Sequence, residues 1–369
     1  MGKEAEIKKP GKIDLEAMRK LVNKKTGLDV AHDLTKENPT SVKQWIPTGS
    51  RWLDSIICRS KMAGIPVGKI TEIAGLSASG KSFMAAQIAA NANKMGMIVV
   101  YFDAESSIDP AFLERAGCDL KNLLYIQAVS VEKVLETIQE LMSTYLDQQM
   151  VFIWDSIAAT ASEKDIEGDF NPQSSMAVKP RIFAKAFPKL TIPLANSQSS
   201  LILLNQLKTN ITMNVAEAMT TPYIAPGGKA IGYFSSLRIW LTKRKAKAAY
   251  VNDENGFRIG SEIKVKLEKS RFGTEGRNCT FKILWGSDVG IQDEESWFTA
   301  IKLSGSDRFS QSGAWCKLIT KGGKELKFQA SKWAKHLEDK EFKQTVFEIM
   351  QEEIINRFDK GGGEIKIED

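Results

Sequence analysis

The sequence has few of the residues that build disulfide frameworks, metal sites and histidine-dependent catalytic sites. It contains four cysteines and two histidines among 369 residues. The cysteines, Cys58, Cys118, Cys279 and Cys316, are far apart and form no C-x-x-C pair. This pattern argues against a disulfide scaffold, a structural zinc site and a Ser-His-Asp triad, and it predicts scattered buried thiols in a reducing compartment.

Long apolar runs are also missing from the sequence. No stretch is apolar over the roughly 20 residues that a membrane-spanning helix requires. The first residues, MGKEAEIKKPGK, are charged, so we expect no secretory signal. The net charge of +6 is modest, and it is compatible with a nucleic-acid partner without requiring one. We therefore expect a cytoplasmic protein, bacterial or phage-encoded, with no membrane partner.

Short apolar segments alternate with helical patterns through the middle of the chain. The segments KITEIAG, MIVVYFD, LLYIQ, MVFIWD and SLILLNQ predict buried strands at 69–75, 97–103, 123–127, 150–155 and 200–206. Helical spacing of apolar residues follows the first strand, and another helical pattern begins after Ser130, a predicted N-cap. Near-continuous apolar strands separated by helices predict an α/β fold with a mostly parallel sheet and helices on both faces.

The two ends of the chain have different patterns. Apolar residues recur at helical spacing between Asp14, a predicted N-cap, and Gly27, which predicts a short N-terminal helix. After residue 232, alternating segments predict antiparallel strands at one edge of the sheet. The expected domains are an N-terminal oligomerisation segment over 1–37, a core over 38–290 and a small α/β C-terminal domain over 291–369.

A glycine-rich stretch, AGLSASGKSF, lies between the first predicted strand and its helix. A glycine, four residues, then glycine, lysine and serine in this context are typical of a phosphate-binding loop, although a surface turn is the alternative. We expect Lys81 to reach the β- and γ-phosphates of a nucleotide and the Ser82 hydroxyl to bind Mg²⁺. The residues predicted to contact the nucleotide are Gly75, Leu76, Ser77, Ala78, Ser79, Gly80, Lys81, Ser82 and Phe83.

Two acidic residues follow strands that end at the same edge of the predicted sheet. Asp155 ends MVFIWD, where its carboxylate is expected to bind Mg²⁺ together with Ser82; the alternative is a helix cap. Glu105 follows MIVVYFD, where a carboxylate is able to polarise an attacking water. Position alone does not separate that role from an exposed loop acid.

Five stretches of the chain share their order and spacing with one known family. They are GLSASGKS, YFDAESSIDPAF, VFIWDSIAA, LILLNQLK and PGGKAIGYFSSLRIWL. Over roughly residues 38–290 the chain resembles the RecA recombinases, and LEKSRFGTEG makes it more similar to the phage members than to the main bacterial protein. The resemblance implies a DNA-dependent ATPase that uses ATP and Mg²⁺, forms filaments on single-stranded DNA and exchanges strands with homologous duplex DNA.

The resemblance also implies roles for individual residues near the nucleotide. Glu105 would be the catalytic carboxylate that activates water. Asp109 would contact the adenine, and Phe112, where the family usually has tyrosine, would stack on it. Gln206 would sense the γ-phosphate and pass that signal to the loop that follows it.

Further roles concern DNA and the neighbouring subunit. Lys269 and Arg271 would reach the γ-phosphate of a nucleotide bound by the adjacent subunit. Two loops, 162–176 and 207–228, would line a DNA channel. The residues expected to contact DNA are Met176, Arg181, Lys208, Gly227, Gly228 and Lys229. Single-strand binding proteins and mediator proteins are the expected accessory partners.

Some features depart from the family or leave alternatives open. Pro188 stands where the family tends to have a basic residue that contacts DNA, and Pro180 and Pro193 interrupt the same helical stretch, so a kinked helix is expected there. The region 242–260 is either a hairpin near DNA or a soluble loop. The alternative functions are a helicase or repair ATPase on the same core, a non-catalytic mediator of assembly, and a small-molecule kinase.

Overall fold

The computed structural model describes residues 14–27, 30–36, 38, 40–168, 177–212, 214, 220–243, 249–285 and 290–357. The chain divides into two compact units, Met1–Lys43 and Gln44–Asp369. The first unit contains the helix α1 (Leu15–Thr26). The Asp14 carboxylate caps its N-terminus, and Gly27 ends it with a left-handed φ of 68°. The predicted N-terminal helix is confirmed, and its apolar side chains are exposed.

The second unit contains the sheets and the remaining helices. Its first strands are β1 (Trp45–Ile46), β2 (Ile65–Pro66), β3 (Ile70–Gly75), β4 (Ile98–Asp103), β5 (Leu123–Gln127), β6 (Met150–Asp155), β7 (Ser200–Gln206), β8 (Lys208–Thr209) and β9 (Tyr223–Ile224). The later strands are β10 (Ser235–Lys243), β11 (Tyr250–Asn252), β12 (Arg258–Ser270), β13 (Asn278–Leu284), β14 (Gly290–Ile291), β15 (Phe309–Ser312), β16 (Trp315–Ile319) and β17 (Glu325–Gln329).

The described helices of this unit alternate with the strands along the chain. They are α2 (Arg51–Ile57), α3 (Lys81–Lys94), α4 (Pro110–Arg115), α5 (Val131–Thr144), α6 (Glu163–Glu167), α7 (Val178–Asn196), α8 (Lys229–Phe234), α9 (Asp293–Ser304), α10 (Trp333–His336) and α11 (Lys340–Met350). Ser130 caps α5 as predicted, because its side chain accepts a hydrogen bond from the Lys133 N–H.

The main sheet has the described strand order β14-β13-β12-β10-β3-β7-β6-β4-β5, with β11 paired to β12. The strands from β10 to β5 are parallel, whereas β12 to β14 add antiparallel pairs. The predicted mostly parallel α/β sheet is therefore confirmed. The prediction that antiparallel pairing begins after residue 232 is wrong for β10, because this strand runs parallel to β3 and only its other side faces β12.

Helices cover both faces of this sheet. One buried cluster joins β3, β4 and β7 to α2 and α3 and includes Leu53, Ile73 and Ile88. A second cluster joins the other face to α5 and α7 and includes Ile138 and Phe183. The side-chain period of two along a strand sends alternate residues to the two clusters, and this alternation explains why the strands are apolar almost without interruption.

One prediction about the elements is wrong. The segment LLYIQ, predicted to be fully buried, is the edge strand β5, and Leu124 and Tyr125 are 46% and 41% exposed. The helix α7 is continuous over 19 residues with Pro188 and Pro193 inside it, and its expected kink stays a prediction. Pro180 lies in its first turn, where the missing N–H would have no helical partner anyway.

The C-terminal part of the second unit has its own buried cluster. The antiparallel sheet β15-β16-β17 packs against α9, α10 and α11 around Trp297, Phe328 and Trp333. Helices and strands both occur in the described part of the C-terminal region, 290–357, and the bounds of the expected domain, 291–369, stay a prediction. The helix α9 also contacts α2 and β13, which ties this part to the main sheet.

Candidate functional site

The predicted phosphate-binding loop connects the end of β3 to the start of α3. Gly80, the N-cap of α3, has a left-handed φ of 86°, which favours glycine. Gly75 is required for a steric reason. A Cβ at this position would collide with the Ser79 side chain and lie 2.9 Å from the Leu241 carbonyl oxygen. The second left-handed φ in the loop, 53°, belongs to Ala78. The loop therefore has the strand-to-helix geometry that the sequence predicted.

Lys81 places a positive charge inside this loop. Its Nζ donates hydrogen bonds to the carbonyl oxygens of Gly75, at 3.2 Å, and Leu76, at 3.1 Å. Burial lowers the pKa of Lys81, and the carboxylates of Asp155 and Glu105 oppose this shift. A lysine cation beside the N-terminus of a helix and a glycine-containing loop fits the phosphates of a nucleotide.

Ser82 and Asp155 meet at the carboxyl edge of the sheet. The Ser82 Oγ donates a hydrogen bond of 2.7 Å to the Asp155 Oδ2, which also accepts one of 3.0 Å from the Tyr101 hydroxyl. Asp155 is 5% exposed. Burial raises the pKa of its carboxyl, and the two hydrogen bonds oppose that shift. A hydroxyl oxygen next to a carboxylate oxygen is a donor set that suits Mg²⁺, so these residues fit the metal.

Glu105 lies in the turn that follows β4. The buried Asp103 carboxylate accepts hydrogen bonds of 2.9 Å from the backbone N–H groups of Glu105 and Ser107, which fixes this turn. The Glu105 Oε1 in turn accepts a hydrogen bond of 3.2 Å from the Ser156 hydroxyl, directly after β6. The turn thus holds an exposed carboxylate beside the residue that follows Asp155.

The residues expected near the adenine lie on α4 and at its start. The Phe112 ring packs edge-on against the Phe83 ring, with ring centroids 5.6 Å apart. Because Phe83 is in the first turn of α3, Phe112 lies close to the phosphate-binding loop. The Asp109 carboxylate caps α4 by accepting a hydrogen bond of 3.1 Å from the Ala111 N–H.

Gln206 ends β7 beside the phosphate-binding loop. The β3–β7 register pairs it with Gly75, and the following Leu207 N–H donates a hydrogen bond of 2.9 Å to the Gly75 carbonyl oxygen. A cavity of about 600 Å³ opens here, and Glu105 and Gln206 line it together with Lys208 and Gly227. This cavity extends from the edge of the sheet beside the phosphate-binding loop to residues predicted to contact DNA.

The second predicted DNA loop is only partly described. Lys208 lies in β8, which pairs with β9, so a short antiparallel ladder closes this loop. Gly227 and Gly228 have φ values of 104° and 81°, and an exposed Lys229 follows them at the start of α8.

The first predicted DNA loop and the region 242–260 also cross undescribed residues. Arg181 is exposed on α7, whereas Met176 lies outside the described residues. The region 242–260 contains the antiparallel pair β11–β12, so its described part forms a hairpin, and its proximity to DNA stays a prediction. The basic residues 244–248 lie outside the described residues.

The side chains of Lys269 and Arg271 converge on one backbone carbonyl group. The Lys269 Nζ and the Arg271 Nη2 both donate to the Tyr233 carbonyl oxygen, at 3.1 and 2.8 Å. Burial lowers the pKa of Lys269, and the positive charges of Arg271 and Arg238 add to this shift. Tyr233 precedes the N-terminal end of β10, whereas the phosphate-binding loop follows the opposite, C-terminal end of the parallel β3. The two cations therefore point away from the phosphate-binding loop of their own chain.

Comparisons with known proteins agree with this geometry. The family model described as the RecA N-terminal domain matches residues 13–291. Protein RecA of Chlamydia felis is 32% identical over 275 residues, which cover 74% of this chain and 75% of that protein. Protein RecA of Symbiobacterium thermophilum is 33% identical over 271 residues, covering 73% and 72%. This chain belongs to the RecA family.

Family membership fixes the general activity of the chain. It is a DNA recombinase and repair ATPase of the RecA type that binds ATP and DNA and self-associates into filaments. The family match begins at residue 13, further towards the N-terminus than the expected 38. The closer likeness to phage members stays a prediction. Among the described residues, no helix is both long and apolar enough to cross a membrane.

Two residues of this RecA-type site were not found from the sequence. Tyr101 lies inside the apolar segment MIVVYFD, where a buried tyrosine needs a partner for its hydroxyl, and that partner is Asp155. The Lys243 Nζ donates a hydrogen bond of 3.2 Å to the carbonyl oxygen of Ala78, inside the phosphate-binding loop. Only the β10–β3 pairing reveals that contact, because Lys243 is far from the loop in sequence.

Proposed function

We propose that this RecA-family chain couples ATP hydrolysis to DNA strand exchange through Gln206. The observation that carries the proposal is the shared cavity, which Glu105 and Gln206 line on the nucleotide side and Lys208 and Gly227 line on the DNA side. A nucleotide that moves Gln206 would move the loop that begins directly after it. ATP then favours the DNA-bound filament, and hydrolysis releases it.

The residues at the loop divide the chemistry of hydrolysis between them. Lys81 and the loop N–H groups hold the β- and γ-phosphates. Ser82 and Asp155 hold Mg²⁺, which neutralises charge on the phosphates when it is bound. Glu105, held by Ser156, orients and polarises the attacking water as a general base. The joint presence of these groups argues against a non-catalytic mediator.

Polymerisation completes the site in this proposal. Lys269 and Arg271 contact the γ-phosphate bound by a neighbouring subunit, where such cations stabilise the charge of the transition state. The N-terminal helix α1 docks on the core of an adjacent subunit, which would bury its exposed apolar side chains. Single-strand binding proteins and mediators assist loading on DNA.

DNA contacts use mainly the phosphate backbone. Arg181, Lys208 and Lys229 supply cations, and Gly227 and Gly228 supply bare backbone N–H groups. Homology is then read by base pairing between strands and not by these side chains. The affinity for single-stranded DNA should therefore fall steeply with salt and depend little on base sequence.

Stimulation of ATP turnover by DNA tests the proposal. Phosphate release is measured with and without poly-dT at moderate salt, and we expect a rate increase on the order of tenfold or more with DNA, within the usual range of coupling between sites. The Glu105→Gln variant is the control, because it should bind ATP and DNA but hydrolyse slowly. Equal rates with and without DNA would contradict the coupling.

A further inference from the structure

A buried glutamate lies in the middle of the central strand β3. Glu72 is 0% exposed, although an unpaired charge inside a protein is costly. Its Oε1 accepts a hydrogen bond of 2.8 Å from the Asn205 Nδ2 on β7. Its Oε2 forms an ion pair with the Arg238 Nε on β10. The three side chains make one polar connection across β7, β3 and β10.

Asn205 joins this connection to the proposed sensor and to a DNA loop. Its Oδ1 accepts a hydrogen bond of 2.9 Å from the Gln206 backbone N–H. Its Nδ2 also donates to the carbonyl oxygen of Pro226, at 2.8 Å. Pro226 directly precedes Gly227 at the end of the second DNA loop. A shift of the Gln206 backbone therefore strains hydrogen bonds that hold both Glu72 and the loop.

Arg238 joins the connection to the cation pair. It faces Lys269 in the β10–β12 register. Its Nη1 lies 3.6 Å from the position that a Cβ of Gly232 would occupy, and the Gly232 carbonyl oxygen accepts a hydrogen bond from the Lys269 Nζ. Arg238 thus lies beside the same backbone segment that holds Lys269 and Arg271.

We infer that Asn205, Glu72 and Arg238 are positioning residues that couple the nucleotide state at Gln206 to the second DNA loop and to Lys269 and Arg271. The inference rests on the proposed function of Gln206. Buried, fully paired polar groups hold discrete arrangements, because a half-broken pair leaves a desolvated charge. The network therefore switches as a unit, which a set of independent surface contacts does not do.

The test removes the ion pair without leaving an unpaired buried charge, in the double variant Glu72→Gln with Arg238→Gln. Affinity for labelled poly-dT is measured with a non-hydrolysable ATP analogue and with ADP. For the wild type we expect the analogue to tighten DNA binding by about tenfold, within the usual range of allosteric coupling. For the double variant we expect the DNA affinity with the analogue to exceed the DNA affinity with ADP by less than about twofold. Its affinity for the analogue, and its DNA affinity with ADP, should each stay within about twofold of the wild-type values.

The matched control is Arg308→Gln with Glu348→Gln. The side chains of Arg308 and Arg238 are 17% and 18% exposed, and both are paired with a glutamate, but Arg308 lies in the C-terminal part. This control should keep the wild-type ratio. A folded Glu72–Arg238 double variant that also keeps it overturns the inference. A wild type whose DNA affinity does not respond to the analogue overturns the proposed function instead.

A second variant decides the matter if the double variant does not fold. Asn205→Ser removes the amide that bridges Glu72 and Pro226 but leaves the Glu72–Arg238 ion pair in place. A ratio below about twofold in this variant supports the coupling role, because its fold keeps the buried charge pair. The wild-type ratio in a folded Asn205→Ser protein overturns it.

Discussion

The phosphate-binding loop and the pair Lys269 and Arg271 both carry positive charge, but they differ in what surrounds it. Lys81 lies close enough to Asp155 and Glu105 for their charges to act on its pKa. Within the described residues, neither Lys269 nor Arg271 has a carboxylate within 4.0 Å, and both donate to backbone carbonyls at Tyr233. The lysine of the loop has carboxylates of its own chain nearby, whereas the charge of Lys269 and Arg271 is left for another molecule.

This difference explains why the sequence predicts the function of the loop more directly than that of Lys269 and Arg271. The residues of the loop contact one another because they lie within a single strand–turn–helix segment, so a short motif predicts the site. The role proposed for Lys269 and Arg271 depends on a neighbouring chain that the fold of one subunit does not contain. We expect variants in the two clusters to fail in different assays.

The largest effect should come from Lys81→Ala. The β- and γ-phosphates lose the cation inside the loop, so ATP turnover should fall by about 10³-fold or more, at the upper end for loss of one charge-stabilising donor. Phosphate release with saturating poly-dT measures this loss. Lys94→Ala, at the other end of α3, is the control and should keep the wild-type rate. Substantial turnover in Lys81→Ala would show that the loop is not the phosphate site.

A smaller and more specific effect should come from Arg271→Ala. DNA-stimulated turnover should fall by about 10²- to 10³-fold, since Lys269 remains on the same face. Binding of a fluorescent ATP analogue to the isolated subunit should be unchanged, because the chain's own loop is intact. Measuring both quantities on one preparation separates this variant from Lys81→Ala, which should lose both.

Mixing two inactive variants tests the action across the interface. Arg271→Ala and Glu105→Gln should recover part of the DNA-stimulated turnover when they are combined. One type of interface then joins an intact Glu105 to an intact Arg271. If the proteins demonstrably co-assemble and no activity returns, Arg271 does not act on a neighbour's nucleotide, and the distinction between the two clusters fails.

The sequence predicted the central fold because buried parallel strands are apolar on both faces. It did not predict that LLYIQ is an edge strand, since Leu124 and Tyr125 are as apolar as buried residues. It also did not predict that β10 pairs parallel to β3, because the direction of pairing depends on where the chain returns and not on local pattern. Pro188 and Pro193 do not break α7, since neighbouring packing maintains the helix.

The residues of the candidate site also fall into two groups: those that the sequence marks and those that only the fold brings together. Lys81, Ser82 and Asp155 were predictable because a motif or a strand end marks each of them. Glu72 was detectable in principle, since a charged residue inside an apolar strand requires a partner, but its partners Asn205 and Arg238 come from β7 and β10. Contacts between strands distant in sequence, such as that of Lys243 with the loop, required the sheet order.

The smallest effect should come from Lys243→Ala, which tests whether the loop is completed by β10 as well as by its own segment. Lys243 is a half-buried cation whose Nζ donates an exposed hydrogen bond to the Ala78 carbonyl oxygen, so we expect the Kd for an ATP analogue to rise by about two- to fivefold, as for loss of an exposed charge contact. The effect should shrink at high salt, because exposed charges are screened. Lys264→Ala is the matched control, since it removes the same charge from the adjacent strand β12, opposite Thr242. An equal increase in both variants would indicate a general loss of positive field, and an unchanged Kd in Lys243→Ala would limit the site to residues of the loop and its helix.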